Sequence, residues 1–250
     1  MNLITPHTYE IRDRIAVITL NGPPGNFLKD PEFIPVDALK TLLIKEEVKG
    51  VVVTGAGKHF SGGASLEDLF AQANDAALLE EKMNSGKRLL EFIDVLEIPV
   101  IAAIKGICFG GGLEISLACD MRFCNSGALF AFPESNHNMM PGLAGSYRLS
   151  HRIGFPDSLK MILGGDMVNA EEALLMKLVD RIVHDSDPAE AAICFLTRIT
   201  EGRSIPVINS ILRAIRNAYV LTQEEALMEE TRMFCELVAA ESRRRQREEL

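Results

Sequence analysis

Apolar and polar residues alternate through Tyr9-Glu10-Ile11-Arg12 and again through Ile15-Ala16-Val17-Ile18-Thr19-Leu20, with the polar Arg12-Asp13-Arg14 between them. A period of two turns one face of each segment toward a core, so the pattern predicts two strands joined by a short turn. Asn21-Gly22-Pro23-Pro24-Gly25-Asn26 then forces a further turn. Val36, Leu39, Leu42 and Leu43 fall at helical spacing and predict a helix over 36–46, leading into the apolar strand Gly50-Val51-Val52-Val53-Thr54. A long amphipathic stretch from Leu66 to Leu96 predicts helix, interrupted near Asn84-Ser85-Gly86. Pro99-Val100-Ile101-Ala102-Ala103-Ile104 reads as another buried strand, and Gly110 to Cys119 as a short helix that is apolar nearly all round. Strand-like pieces recur at 121–124, 129–132 and 179–184, with helical segments at 144–164 and 170–177.

Strands interleaved with helices predict an α/β chain. From about residue 187 the pattern is helical to the end, divided at Pro206 and at the start signal Leu221-Thr222-Gln223-Glu224-Glu225. The expected organisation is a core over 1–186 that carries the site, followed by a helical region over 187–250. Apolar stripes in that region (Ile208, Ile211, Leu212 and Ile215, then Leu227, Met233 and Leu237) exceed the needs of one compact core and predict self-association.

Composition narrows the function class. Of 250 residues, 47% are hydrophobic and 24% charged, the proportions of a folded globular chain. Against 35 Asp and Glu stand 26 Lys and Arg, and the net charge of −9 excludes a broad electrostatic footprint for nucleic acid. The basic cluster Arg243-Arg244-Arg245 with Arg247 suits the negative end of a terminal helix. No apolar stretch approaches membrane-spanning length. The opening Met1-Asn2-Leu3-Ile4-Thr5-Pro6 lacks the basic region and apolar run of an export signal. Five cysteines, odd in number and without a CxxC pair, predict reduced thiols in a cytoplasmic protein, with no disulfide frame and no metal site.

Two glycine-rich loops follow buried strands: Thr54-Gly55-Ala56-Gly57-Lys58-His59-Phe60-Ser61-Gly62-Gly63-Ala64-Ser65, and Lys105-Gly106-Ile107-Cys108-Phe109-Gly110-Gly111-Gly112. Glycines let backbone N–H groups point into a cavity, and the second loop also opens a helix whose first N–H groups lack intrahelical partners. Such donors suit a developing oxyanion. A nucleotide P-loop does not fit, since Val52 stands where its first glycine belongs and His59 where Ser or Thr belongs; Ile115 likewise breaks the dinucleotide fingerprint. Glu114, among Leu113, Ile115, Leu117 and Ala118, must be paired, with Arg122 as one partner, or line a cavity. Glu134 follows the apolar run Leu129-Phe130-Ala131-Phe132 and Pro133, at a strand end. Two carboxylates so placed can divide the roles of acid and base.

From Ile98 through Gly110-Gly111-Gly112-Leu113-Glu114-Ile115-Ser116-Leu117-Ala118-Cys119-Asp120 the chain resembles the crotonase superfamily, which includes enoyl-CoA hydratases and isomerases. The resemblance extends through Phe132-Pro133-Glu134 and Pro141-Gly142-Leu143-Ala144-Gly145-Ser146-Tyr147-Arg148-Leu149, and back to Phe60-Ser61-Gly62-Gly63-Ala64. It implies a spiral of β-β-α turns with a helical C-terminal trimerisation region, often with two trimers in a hexamer. By the same resemblance the N–H groups of Ala64 and Gly111 form an oxyanion hole, and Glu114 and Glu134 are the two catalytic acids of a hydratase. Gly63, Ser65, Leu66, Gly110, Pro133 and Gly142 would line the substrate site, with Lys58 as a phosphate contact. Coenzyme A would enter as part of the acyl thioester and no other cofactor is implied. Ser65, Glu67 and Phe132 differ from residues frequent in the family, so a carrier-protein-bound thioester stands beside acyl-CoA as substrate. Isomerisation, thioester hydrolysis and a non-catalytic scaffold role are the competing functions.

Overall fold

The computed structural model describes residues 7–248. The opening residues 1–6, read above for an export signal, lie outside the described residues.

β1 (His7–Arg12) and β2 (Ile15–Leu20) form the expected antiparallel pair, and Asp13 and Arg14 between them both take positive φ. That is the backbone of a two-residue hairpin turn whose twist matches the strands it joins. α1 (Val36–Lys45) turns Leu39 and Leu43 inward and leads to β3 (Gly50–Gly55), which lies parallel to β2. After β3 come α2 (Leu66–Gln72), α3 (Ala76–Asp94) and β4 (Val100–Ile104). β5 (Ile107–Phe109), α4 (Gly111–Leu117), β6 (Met121–Asn125) and β7 (Leu129–Ala131) follow. A 3-10 turn, Pro133–His137, precedes α5 (Gly145–Ile153) and α6 (Phe155–Gly164). β8 (Val168–Asn169), α7 (Ala170–Leu175), β9 (Arg181–Val183), α8 (Pro188–Thr200), α9 (Ile205–Val220) and α10 (Gln223–Glu248) complete the order.

The large sheet runs β1-β2-β3-β4-β6-β9, parallel except at β1, and a smaller sheet runs β5-β7-β8. Alternation explains why β3 and β4 read as unbroken apolar runs. Val51, Val53, Val100, Ala102 and Ile104 face one core, while Val52, Ile101 and Ala103 face a second across the sheet. Each circuit of the chain visits the large sheet, then the small one, then a helix: β4, β5, α4; then β6, β7 and the helices after them. The circuit before does the same, because Ser61 bridges Cys108 of β5 before α2 begins. This is the spiral of β-β-α turns.

Two sequence expectations change. The break in the 66–96 stretch falls at residues 73–75, where the Asp75 side chain caps α3 by accepting from the Leu78 N–H at 3.0 Å. α3 then runs unbroken through Asn84-Ser85-Gly86. Gly86 is there for contact, since a Cβ would lie 2.4 Å from Pro31 Cβ and 2.9 Å from Leu143 Cδ2. The helical 144–164 segment consists of two helices, parted at Gly154. Arg122, fully buried, does not pair with Glu114. Its guanidinium donates to the carbonyls of Leu178, Ser116 and Cys119 and meets Asp180.

Within the helical region, α8 packs on the sheet through Ala192, Ile193 and Leu196, so its packing belongs with the core. α9 and α10 lie against each other and leave Ile211, Ile215, Tyr219, Leu227, Phe234 and Val238 exposed. Among the described residues, no helix is long and apolar enough to cross a membrane.

Candidate active site

The two glycine-rich loops meet back to back at the ends of β3 and β5. The buried Asn26 side chain anchors the first, donating to the carbonyls of Ala56 (2.9 Å) and His59 (2.7 Å). Ser61 donates its hydroxyl to the Asn26 carbonyl at 2.7 Å and accepts from the Gly63 N–H at 3.1 Å, which fixes the approach to Ala64. Gly63 takes φ +83°, and a Cβ there would stand 2.7 Å from the Phe109 carbonyl oxygen. Only glycine lets the loops close so far.

Ala64 and Gly111 are consequently neighbours: a Cβ built on Gly111 would lie 3.8 Å from the Ala64 nitrogen. Among the described residues neither N–H has an acceptor. Gly111 is the first residue of α4, so its free N–H is one of the orphan donors every helix start leaves. Ser65, just beyond Ala64, caps α2 through its hydroxyl, which accepts from the Asp68 N–H at 3.2 Å.

Glu114 lies one turn into α4, 2% exposed. Its Oε1 accepts from the N–H groups of Leu143 (2.6 Å) and Gly145 (2.7 Å). Burial nevertheless outweighs these bonds and pushes its pKa from 4.5 up to about 7, with Glu134 adding to the rise. The donors sit on either side of Ala144, a non-glycine residue at φ +70°. Such a conformation persists only where its surroundings enforce it. Arg148 does part of this, donating to the Leu143 carbonyl at 3.1 Å while its Nε lies 3.5 Å from Asp94.

Glu134 stands just past the end of β7, in the first turn of the 3-10 segment, half-buried. Its pKa is raised, again by burial. Its Oε2 is buried without a hydrogen-bond partner. Oε1 lies 2.6 Å from where a Cβ on Gly110 would be, and Gly110 itself takes φ +49°, so this position excludes a side chain on two counts.

Both acids open onto one cavity of about 740 Å³. Ala64, Ser65, Leu66, Gly110, Gly111, Pro133 and Gly142 line it, as does Gly62; Gly63 lies behind the wall and braces it. Lys58 is exposed and outside the lining. The cations that do line it, Lys29 and Lys82, were not singled out in the sequence, nor were Phe27, Leu28, Met83 and Met139. Asn26, Ser61 and the donors of Leu143 and Gly145 were missed as well. A signal existed for one of the last pair: the glycine at 145 leaves the backbone bare where a Cβ would lie 2.8 Å from Glu114 Oε1.

A family model described as enoyl-CoA hydratase/isomerase matches residues 10–249. A probable enoyl-CoA hydratase of Bacillus subtilis (strain 168) is 31% identical over 234 residues, which cover 91% of this chain and 88% of that protein. The glyoxysomal fatty acid beta-oxidation multifunctional protein MFP-a of Brassica napus is 35% identical over 204 residues, 80% of this chain, and the match spans only 28% of that relative's length. In structure, Pseudomonas aeruginosa DspI superposes with a TM-score of 0.84 at 31% identity, over 96% of this chain and 98% of that one. The chain therefore belongs to the enoyl-CoA hydratase/isomerase family, within the crotonase superfamily of enzymes.

Proposed function

We propose that the chain hydrates an enoyl thioester, or runs the reverse dehydration, and is thus a lyase of its family. One observation carries the reading: two carboxylates with raised pKa meet a pair of unpaired N–H donors in one cavity. With the thioester oxygen accepting from Ala64 and Gly111, Glu134, whose Oε1 stands beside Gly110, would be the acid at the adjacent carbon C2. Glu114, a helical turn further on with Oε1 tied, has Oε2 left to hold a water at C3. The water gives its oxygen to C3 and a proton to one carboxylate. The C2–C3 π pair moves to C2 as an enolate, whose charge the N–H pair stabilises. A proton from the other carboxylate then forms the C2–H bond.

A second reading, double-bond isomerisation by Glu134 alone, draws support from the doubly bonded Oε1 of Glu114, which also suits a structural acid. Assay of a panel of enoyl-CoA thioesters separates the two. Loss of the conjugated thioester with formation of a 3-hydroxyacyl product is expected; migration of the double bond without hydration would install the isomerase reading.

The acyl thioester would be carried by coenzyme A or a carrier-bound pantetheine arm, whose phosphate the exposed Lys58 would meet from outside the cavity. The exposed apolar residues of α9 and α10 support a trimer or a dimer of trimers. Free, mostly apolar-flanked cysteines support a reducing, cytoplasmic setting.

A further inference from the structure

α3 presents Leu79, Lys82 and Met83 to the cavity from one face, at helical spacing. Met83 Sδ lies 3.3 Å from where a Cβ on Gly142 would be, and the next residue, Leu143, holds Glu114. Lys82 therefore stands on the Glu114 side of the cavity. It is half-buried, and among the described residues no carboxylate lies within ion-pair distance of it, Asp68 of the same wall included. Part of its side chain is covered against the apolar Leu79 and Met83 while its charge has no counter-charge, so a ligand carboxylate entering the cavity would be its ionic partner. Lys29 and Lys58 are exposed, which suits the wet phosphates of a carrier arm. The enclosed lysine faces the part of the ligand that is enclosed, the acyl chain.

We propose that Lys82 receives a carboxylate carried on the acyl chain, so that the preferred substrate is the half-thioester of an unsaturated dicarboxylic acid. The inference rests on the enoyl-thioester reading and names its substrate class. The distal carboxylate makes and breaks no bond; hydroxyl still adds at C3 and hydrogen at C2. Its role is to fix the acyl chain along α3, with C3 toward Glu114.

Calorimetric binding of two saturated five-carbon thioesters, glutaryl-CoA and pentanoyl-CoA, tests this without turnover. A charge-assisted hydrogen bond in a partly enclosed site predicts that the wild-type chain binds glutaryl-CoA about tenfold to a hundredfold more tightly. Lys82→Met should collapse that ratio toward one, and Lys82→Arg should keep most of it. Because each ratio is taken within one protein, loss of folded material does not alter it. Equal affinities in the wild type overturn the proposal. So does a ratio that survives Lys82→Met, or a Lys82→Met loss shared equally by both ligands, which assigns Lys82 to a phosphate of the carrier. Glutaryl-CoA preference without hydration of any enoyl thioester would overturn the hydratase reading while keeping the recognition site.

Discussion

Glu114 and Glu134 share a cavity and a direction of pKa shift, yet they are held in opposite ways. Around Glu114 everything is closed: a fully buried helix, two N–H donors on one oxygen, a strained Ala144 between those donors, and Arg148 behind them. Around Glu134 the support is a short 3-10 turn, one carboxylate oxygen pressed against Gly110 and the other without a partner. The difference separates orientation from exchange. Under the proposed hydration, a carboxylate fixed by backbone donors would aim the water, while one with a bare oxygen would give and take the proton at C2.

Replacing each acid tests that division most severely. Glu114→Gln and Glu134→Gln are each expected to lower kcat by about a hundredfold to ten-thousandfold, the range for a positioned acid or base. Steady-state hydration kinetics measure it. Because both act on one water and one enolate, the double variant should lose far less than the two single losses combined in free energy. A silent Glu114→Gln beside an inactive Glu134→Gln would reduce Glu114 to a structural acid and break the comparison.

The pH response comes next in size. For Glu114 the folded-state pKa, about 7, exceeds the ordinary 4.5, so between those values the folded state keeps a proton that the unfolded state has lost. Stability is therefore full below about pH 4.5 and declines as pH rises to about 7, by a total on the order of 3 kcal/mol. Glu134 moves in the same direction. Denaturant melts of wild type and Glu114→Gln across this window should differ in slope, since Gln keeps an oxygen for both N–H groups without the buried charge. In kinetics, kcat/KM should rise with pH through about 7 where ionised Glu114 takes the water's proton. That limb should vanish in Glu114→Gln.

How far the sequence reached follows the same contrast. The strands were legible because two-sided burial leaves continuous apolar runs such as Val51 to Val53, and the two glycine-rich loops because glycines cluster where backbone meets backbone. Glu114 stood out as a charge in an apolar helix. Its partner did not: the holding groups are main-chain N–H groups of Leu143 and Gly145, about thirty residues away, and any residue type carries an N–H. Gly86 misled for a related reason, since it reads as a helix breaker while its missing side chain makes room for Pro31 and Leu143. Lys82 was invisible because a lysine on an amphipathic helix reads as a wet face until the cavity beneath it is seen.

Adding a single methyl group sharpens the comparison at lower cost. In Gly145→Ala the Cβ would lie 2.8 Å from Glu114 Oε1 and 2.9 Å from the Phe132 ring, so the acid must leave its donors. In Gly110→Ala the contact is Glu134 Oε1 at 2.6 Å, with φ at +49° adding backbone strain. Each should cost about 1–3 kcal/mol in stability, read by thermal melts, with kcat falling by about tenfold or more. The closed Glu114 site should suffer more in stability, and the open Glu134 site more in turnover.

Gly142→Ala is the smallest and the most discriminating of the series. It sits in the same loop as Gly145, three residues earlier, and lines the same cavity. Its Cβ would meet only the Met83 sulfur, at 3.3 Å, the far part of an unbranched side chain that relaxes by rotating. Neither Glu114 nor its two donors is touched, so kcat should stay within about threefold and stability within about 0.5 kcal/mol. What should change is the space beside Met83 and Lys82, and with it the KM for longer acyl chains more than for short ones. Measuring kcat and KM over a chain-length series reads the two apart. A large fall in kcat from Gly142→Ala would mean that the 142–145 segment moves as one unit with Glu114, and the acid would then be held by the loop's overall position, with the two N–H bonds following from it.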